Sequence, residues 1–139
     1  MVNKKIVTIF LLLFLITSTI SCVYADDDDR SYSITQALVD IIVDTNGMLH
    51  INETFDYSFD GTFNGVYRDI PLKEGESISN IHVSAEGAYT KVEQHQEDGT
   101  QHIKIYLYSD AAKTQPISDT NVKVHISYDM KNVVTVYQD

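Results

Sequence analysis

The chain has 139 residues and is strongly acidic, with 20 Asp and Glu residues against 10 Lys and Arg residues and a net charge of −10 at pH 7. Because such a surface repels phosphate groups, this composition argues against nucleic acids and anionic lipid headgroups as partners. The only cysteine is Cys22, so the chain has no internal disulfide, and its stability must come from apolar burial and backbone pairing.

The first element along the chain is an N-terminal export signal. Two early lysines precede an apolar run over residues 6–20, and Val23 and Ala25 are small residues at the spacing that signal peptidase requires. We therefore predict a signal peptide over residues 1–25 and export of the chain to the cell surface or beyond. Two alternatives stay open: an uncleaved anchor, although the run is shorter than the roughly 20 residues of a membrane span, and lipid attachment at Cys22.

An acidic spacer follows the signal, with four consecutive aspartates at residues 26–29. Adjacent carboxylates lack the alternating spacing with which a loop wraps a calcium ion, so we interpret residues 26–31 as a solvated spacer. The remaining residues, 32–139, are enough for one domain with a single core and too few for two domains.

From Ser31 onward, apolar and polar residues alternate almost throughout. In residues 121–130 (NVKVHISYDM), Val, Ile, Tyr and Met occupy every second position, as in a half-buried antiparallel strand. Seven or eight short strands predict an all-β fold without helices after the signal, a two-sheet antiparallel β-sandwich of immunoglobulin-like type; a partly open β-barrel is the alternative. Outside the hairpins, we predict strands at residues 66–70, 78–85 and 133–137. The longest predicted loop covers residues 109–120.

The first predicted hairpin turns at Asn46-Gly47. A two-residue turn there would set apolar residues of one strand beside polar residues of the other. A three-residue loop over residues 45–47, with its glycine in the left-handed conformation, instead gives apolar pairs: Val43 with Leu49, Ile41 with Ile51, and Ala37 with Phe55. In this register Asn52 points outward, and it begins an Asn-Glu-Thr sequon, which makes it a candidate N-glycosylation site on an exported chain.

The second predicted hairpin turns at Asp98-Gly99, a pair typical of a two-residue turn. This turn gives cross-strand pairs of matching chemistry: Val92 with Ile105, Glu93 with Lys104, and Tyr89 with Tyr108. It also sets His95 opposite His102, near two acidic residues. Because a mobile hairpin tip rarely supplies the outer groups that fix metal ligands, we predict no metal site there.

Residues 59–72 (FDGTFNGVYRDIPL) interrupt the simple strand pattern. One glycine follows an aspartate and another follows an asparagine, and the two residues between these turn signals are too few for a separate strand. Residues 59–65 are therefore predicted to form a compound turn. In the strand that comes next, alternation places Arg68 on the aliphatic face and Tyr67 and Asp69 on the opposite face.

Arg68 has two interpretations. If its face is inward, an unpaired guanidinium would cost several kcal/mol, so Asp56, Asp60 or backbone carbonyls must pair with it, and it pins the compound turn. If its face is outward, the segment is an exposed anchor for a partner, because arginine and aromatic residues dominate interface hot spots. Four residues are thus candidates for interaction or turn pinning: Phe63, Tyr67, Arg68 and Asp69.

Motifs for catalysis and for cofactor binding are absent from the sequence. It contains no G-x-S-x-G elbow, no H-E-x-x-H, no phosphate-binding glycine loop and no dinucleotide fingerprint. Its twenty acids are scattered, so no carboxylate pair stands out as the acid and base of a glycosidase. We predict a protein that is not an enzyme and that uses neither a cofactor nor a metal.

The run from Ile41 to Pro71, centred on DTNGMLHINETFDYSFDGTFNGVYRDIP, resembles the extracytoplasmic N-terminal domain of the YciQ-like predicted membrane proteins, a family of unknown function. The matching pieces are the N-terminal signal, a strand that ends in an Asp-x-x-Gly turn, an acidic residue like Glu53, a Phe-Gly turn and the element Y-R-D-I-P. The resemblance implies a β-rich exported domain that precedes membrane helices.

These observations together suggest a function class. We expect an exported, non-enzymatic cell-envelope module that binds an unknown protein or envelope component, and that meets the membrane only through its N-terminal segment if this is not cleaved. One alternative is a fragment that lacks C-terminal strands and has no activity of its own. An enzyme that acts on envelope polysaccharide is a more distant alternative.

Overall fold

The computed structural model describes residues 29–134, so the predicted signal peptide, the first half of the acidic spacer and the last five residues lie outside the described range. Within it the chain forms nine strands and no helix. They are β1 (Ser31–Val43), β2 (Leu49–Asp60), β3 (Thr62–Phe63), β4 (Gly65–Pro71), β5 (Ser77–Glu86), β6 (Tyr89–Glu97), β7 (Thr100–Tyr108), β8 (Ile117–Ser118) and β9 (Asn121–Lys131). A search of these residues for a helix able to cross a membrane finds none.

The strands form two larger sheets and one small one, and every pairing is antiparallel. The four-stranded sheet has the order β1-β2-β9-β5, the three-stranded sheet has the order β4-β7-β6, and β3 pairs with β8. The all-β antiparallel prediction is confirmed. The sheets do not close on themselves, so the barrel alternative is wrong.

The core draws on both larger sheets. β7 and β9 each alternate a buried residue with a half-buried one along most of their length, as period-two sequences require. The largest fully buried side chains come from these two strands and from β8: Ile103, Ile105, Leu107, Ile117, Val122 and Val124. Each such side chain stabilises the fold by about 1.5–3 kcal/mol relative to an exposed position.

Both predicted hairpins form in the predicted registers. The first pairs Val43 with Leu49 and Ile41 with Ile51, and Gly47 has a φ of 78°, so the three-residue loop is confirmed. In the second, Asp98 and Gly99 both have positive φ, as a two-residue turn of this type needs. The cross-strand pairs of the second hairpin also match: Val92–Ile105, Glu93–Lys104, Tyr89–Tyr108 and His95–His102.

Two details of the prediction are wrong. The predicted compound turn contains a strand, because Thr62 and Phe63 pair with Ile117–Ser118, which lies within the predicted long loop. The partner is over fifty residues away along the chain, so local turn signals could not reveal the pairing. The predicted strand at 133–137 is not observed at Val133 and Val134, and its other residues lie outside the described range.

The edge strand β1 differs from every other long strand. It pairs with β2 alone, and all thirteen of its residues are exposed. Its large apolar side chains are at least 48% exposed, so the four-stranded sheet extends on this side past the cover that the three-stranded sheet provides.

Candidate functional site

The Arg68 side chain points into the space between the two larger sheets. Its Nε donates to Glu53 Oε2 at 2.8 Å, and its Nη2 donates to Glu53 Oε1 at 2.6 Å. A third donor, Nη1, reaches the backbone carbonyl of Asp69 at 2.8 Å. The inward interpretation therefore describes the observed geometry, but the acidic partner is Glu53 on β2 rather than Asp56 or Asp60.

Glu53 is only 3% exposed, and a second group satisfies it. The Tyr128 hydroxyl on β9 donates to Glu53 Oε1 at 3.0 Å, so the carboxylate joins three strands, β2, β4 and β9. Burial, together with the nearby carboxylate, raises the pKa of Tyr128 to about 12. The hydrogen bonds from Arg68 to Glu53 likewise raise the pKa of the guanidinium.

The sequence analysis does not predict Glu53 or Tyr128 as a partner of Arg68, although the sequence contains a signal for Glu53. The confirmed register of the first hairpin places Glu53 on the same face of β2 as Ile51 and Phe55. An acid in the middle of an apolar face needs a partner of opposite charge, and Arg68 is a cation on an equally apolar face. These two charged residues, each on an otherwise apolar strand face, could therefore have been predicted to pair with each other.

The other predicted site residues lie elsewhere. Tyr67 points away from the core and is 67% exposed. Asp69 is also exposed on that side, and its Oδ1 lies 2.8 Å from Nδ1 of His102 on β7. Phe63 is half-buried and packs against Phe59, with 4.9 Å between ring centroids. The predicted anchor set is therefore divided: Tyr67 and Asp69 are on the surface, Phe63 lies at its border, and Arg68 is inside.

A surface pocket of about 450 Å³ surrounds Tyr67, and we call it the Tyr67 pocket. Its floor is the outer face of β4 and β7, where Gly65 lies so close to β7 that a Cβ would meet the Ile105 carbonyl oxygen at 2.1 Å. A glycine at this position therefore lets β4 approach the backbone of β7 closely. Besides Gly65, seven residues line the pocket: Arg30, Phe63, Asn64, Tyr67, Lys104, Tyr106 and Tyr108.

The Tyr67 pocket combines aromatic faces with positive charge. The Lys104 ammonium lies 4.5 Å from the centroid of the Tyr106 ring and 5.5 Å from that of Tyr67. These two phenol groups, Tyr106 first, raise the pKa of Lys104, so the amine stays charged. Arg30 extends over the Phe63 ring at 5.6 Å and donates to the Thr62 carbonyl at 3.3 Å.

The rim of the Tyr67 pocket contains an internal ion pair. Lys91 Nζ lies 2.8 Å from Glu93 Oε1, and the Tyr106 hydroxyl donates to Glu93 Oε2 at 3.1 Å. Lys104, in contrast, has no carboxylate within 4.0 Å among residues 29–134. Lys104 instead lies opposite Glu93 in the strand register, and its charge contributes, after the hydrogen bonds from Lys91 and Tyr106, to lowering the pKa of Glu93.

Two further expectations concern the histidine pair of the second hairpin and the sequon at Asn52. The His95 and His102 rings stack with 4.9 Å between centroids, as the hairpin register requires. Residues 29–134 contain no cluster of three or more His, Cys, Asp and Glu side chains arranged to hold a metal ion. Asn52 is exposed on β2, so its side chain is accessible for the predicted glycosylation.

Most of the chain matches the model of a known protein family. The model for the family described as the predicted membrane protein (DUF2207) N-terminal domain matches residues 33–139. No curated protein and no solved structure matches the chain. The matched range contains the Glu53–Arg68–Tyr128 cluster and every residue that lines the Tyr67 pocket except Arg30.

Proposed function

Since the chain belongs to the family of DUF2207 N-terminal domains of predicted membrane proteins, we propose that it is a non-catalytic binding module of a membrane-associated, YciQ-like protein. It is exported, stands on the outer side of the membrane, and captures a protein or envelope component at the Tyr67 pocket. The observation that carries this proposal is a highly exposed tyrosine on β4, beside a charged lysine that has no carboxylate within 4.0 Å among the described residues.

The Glu53–Arg68–Tyr128 cluster supports the rigidity of this surface. Arg68 and Tyr67 are neighbours on β4, so the bidentate ion pair below the strand holds the tyrosine in place above it. Binding groups on rigid elements lose little conformational entropy when a partner docks. The cluster thus acts as a support for the surface rather than as part of it.

The same cluster supports a function without catalysis. A general acid or base works best when its pKa lies near the working pH. Tyr128, with a pKa of about 12, stays protonated near pH 7, and Arg68 stays charged. Because Glu53 accepts hydrogen bonds from both groups, its lone pairs are committed to structural partners.

Photo-crosslinking in the cells that make the protein tests the proposal. A photoreactive benzoylphenylalanine at position 67 should give a crosslinked adduct, because this side chain lies where the partner docks. The same residue at position 89 is the matched control, since Tyr89 is also a half-exposed tyrosine but does not line the pocket. Equal adducts from both positions, or none from position 67, would contradict the proposal.

A further inference from the structure

We propose that the ligand of the Tyr67 pocket is an anionic sugar, a uronic-acid unit of an acidic polysaccharide. This inference rests on the proposed function and names the chemical class of its ligand. In it, the carboxylate of the sugar pairs with Lys104, and the sugar ring packs against the rings of Tyr67 and Tyr108.

Charge is the first reason for an anionic ligand. Lys104 is a surface cation without an ion-pair partner among the described residues, in a chain whose net charge is −10. Lys91, the other lysine near this face, is already paired with Glu93 at 2.8 Å. A ligand carboxylate at Lys104 would form a charge-assisted hydrogen bond that the protein itself does not supply.

The aromatic surface is the second reason, and it favours a sugar ring. Tyr106 and Tyr108 lie along β7 with an angle of 20° between their planes, and Tyr67 stands across from Lys104 on β4. Together these rings form an aromatic wall with phenol hydroxyls at its border. A pyranose has the same character, because its C–H groups form a flat face and its hydroxyls ring the edge.

The backbone of this face is the reason to prefer a sugar to an acidic peptide. A peptide strand binds a sheet mainly through free backbone groups at an edge. At the pocket floor, β7 is paired with β4 on one side and with β6 on the other, so only the outer edge of β4 is unpaired, and Lys104 on β7 lies one strand away from that edge. The pocket offers phenol hydroxyls, ring faces and an ammonium, which suit the hydroxyls and the carboxylate of a sugar.

Calorimetric titration of the full 139-residue chain with three defined probes tests the inference. The probes are trigalacturonic acid, the neutral galactose trisaccharide and triglutamate. Trigalacturonic acid should bind at least about tenfold more tightly than either of the others, because it alone satisfies both the lysine and the aromatic wall. Equally tight binding of triglutamate would contradict the preference for a sugar ring. Equally tight binding of the neutral trisaccharide would contradict the requirement for a negative charge.

Variants locate the binding. Lys104→Gln should weaken the binding of trigalacturonic acid about tenfold, to the level of the neutral sugar, whereas Lys113→Gln removes an equal charge outside the pocket and should have no effect. Tyr67→Ala should weaken the binding of both sugars, and Tyr89→Ala of neither. No binding of trigalacturonic acid, or a loss with Lys113→Gln equal to that with Lys104→Gln, would overturn the inference. If crosslinking from position 67 still succeeds in that case, the proposed binding module stands and only its ligand class is wrong.

Discussion

The two neighbours of β2 have similar compositions but different surroundings. β9 lies on one side and buries every second residue, among them Val122, Val124 and Ile126. β1 lies on the other side and is just as rich in Val, Ile and Leu, yet it buries none of its residues. The comparison shows that an apolar strand is buried only where another layer covers it. Strand formation depends on the sequence pattern, whereas burial depends on position in the sandwich.

The ion pair between Glu53 and Arg68 lies on the side of β2 that the three-stranded sheet covers. Glu53 accepts from Tyr128 of β9 and from Arg68 of the opposing sheet. Its neighbour across the other strand pair, Val39 of β1, is 52% exposed. Within one row across the sheet, the surroundings therefore change from a buried carboxylate to an apolar side chain in contact with water.

The largest effect should come from breaking the ion pair on the covered side. Arg68→Ala leaves the Glu53 carboxylate buried without its cation, and we expect a loss of about 3–5 kcal/mol in the free energy of unfolding. Urea denaturation followed by circular dichroism measures it. Replacing both residues with apolar ones, as in Glu53→Leu with Arg68→Met, should lower the free energy of unfolding less than the single variant does, because no charge is then left buried without a partner. An equal or larger loss in the double variant would show that the pair contributes more than it costs to bury.

The second-largest effect should come from replacing an isoleucine by alanine in β9, and the same replacement in β1 provides the comparison. Ile126→Ala in β9 removes a side chain that is 2% exposed and should cost about 2–5 kcal/mol. Ile41→Ala in β1 removes one that is 55% exposed and should cost less than about 1 kcal/mol. Both losses can be read from the same denaturation curves. Similar losses at the two positions would mean that β1 is covered in solution, and the comparison would fail.

The smallest effect is a pH dependence on the β9 side of β2. His50 Nδ1 lies 2.6 Å from Asp129 Oδ1 across the two strands. This hydrogen bond to Asp129 raises the pKa of His50 above its ordinary 6.5, and bonds from Asn80 and then from His50 lower the pKa of Asp129 below its ordinary 3.8. The β1 side offers no equivalent, because Asp40 faces the neutral Asn52.

The sign of this effect differs for the two groups. Because the pKa of His50 is raised by folding, its contribution is complete below pH 6.5 and is lost as the pH rises through the higher folded value. Because the pKa of Asp129 is lowered, its contribution is present above pH 3.8 and is lost as the pH falls through the lower folded value. The thermal midpoint of the native chain should thus decline slightly above pH 6.5, and His50→Gln should remove that decline. A decline that persists in the variant would assign it to another group.

Local chemistry was enough to predict the two hairpins. Gly47 and Gly99 supply the positive φ angles that these turns need, and the apolar pairing selects one register from two. Alternation also predicted that Arg68 and Tyr67 lie on opposite faces of β4. These are decisions between neighbouring residues, so a short stretch of sequence contains the information.

The surroundings of Tyr67 could not be predicted in the same way. Tyr67 meets Lys104 because β4 pairs with β7, and these strands belong to different parts of the chain. The same is true of β3 and β8, whose pairing also involves an Asp119 carboxylate that accepts from the Gly61 amide at 2.7 Å. Neither contact leaves a mark in the local pattern of either strand.

The sequence by itself determined the turns and registers of the two hairpins and which side chains share a face of a strand, because backbone geometry links residues only a few positions apart. The tertiary structure alone decided which acid pairs with Arg68, which strand of the four-stranded sheet stays uncovered, and which residues surround Tyr67. Those outcomes depend on how two sheets stack, and the stacking brings together side chains that lie far apart along the chain.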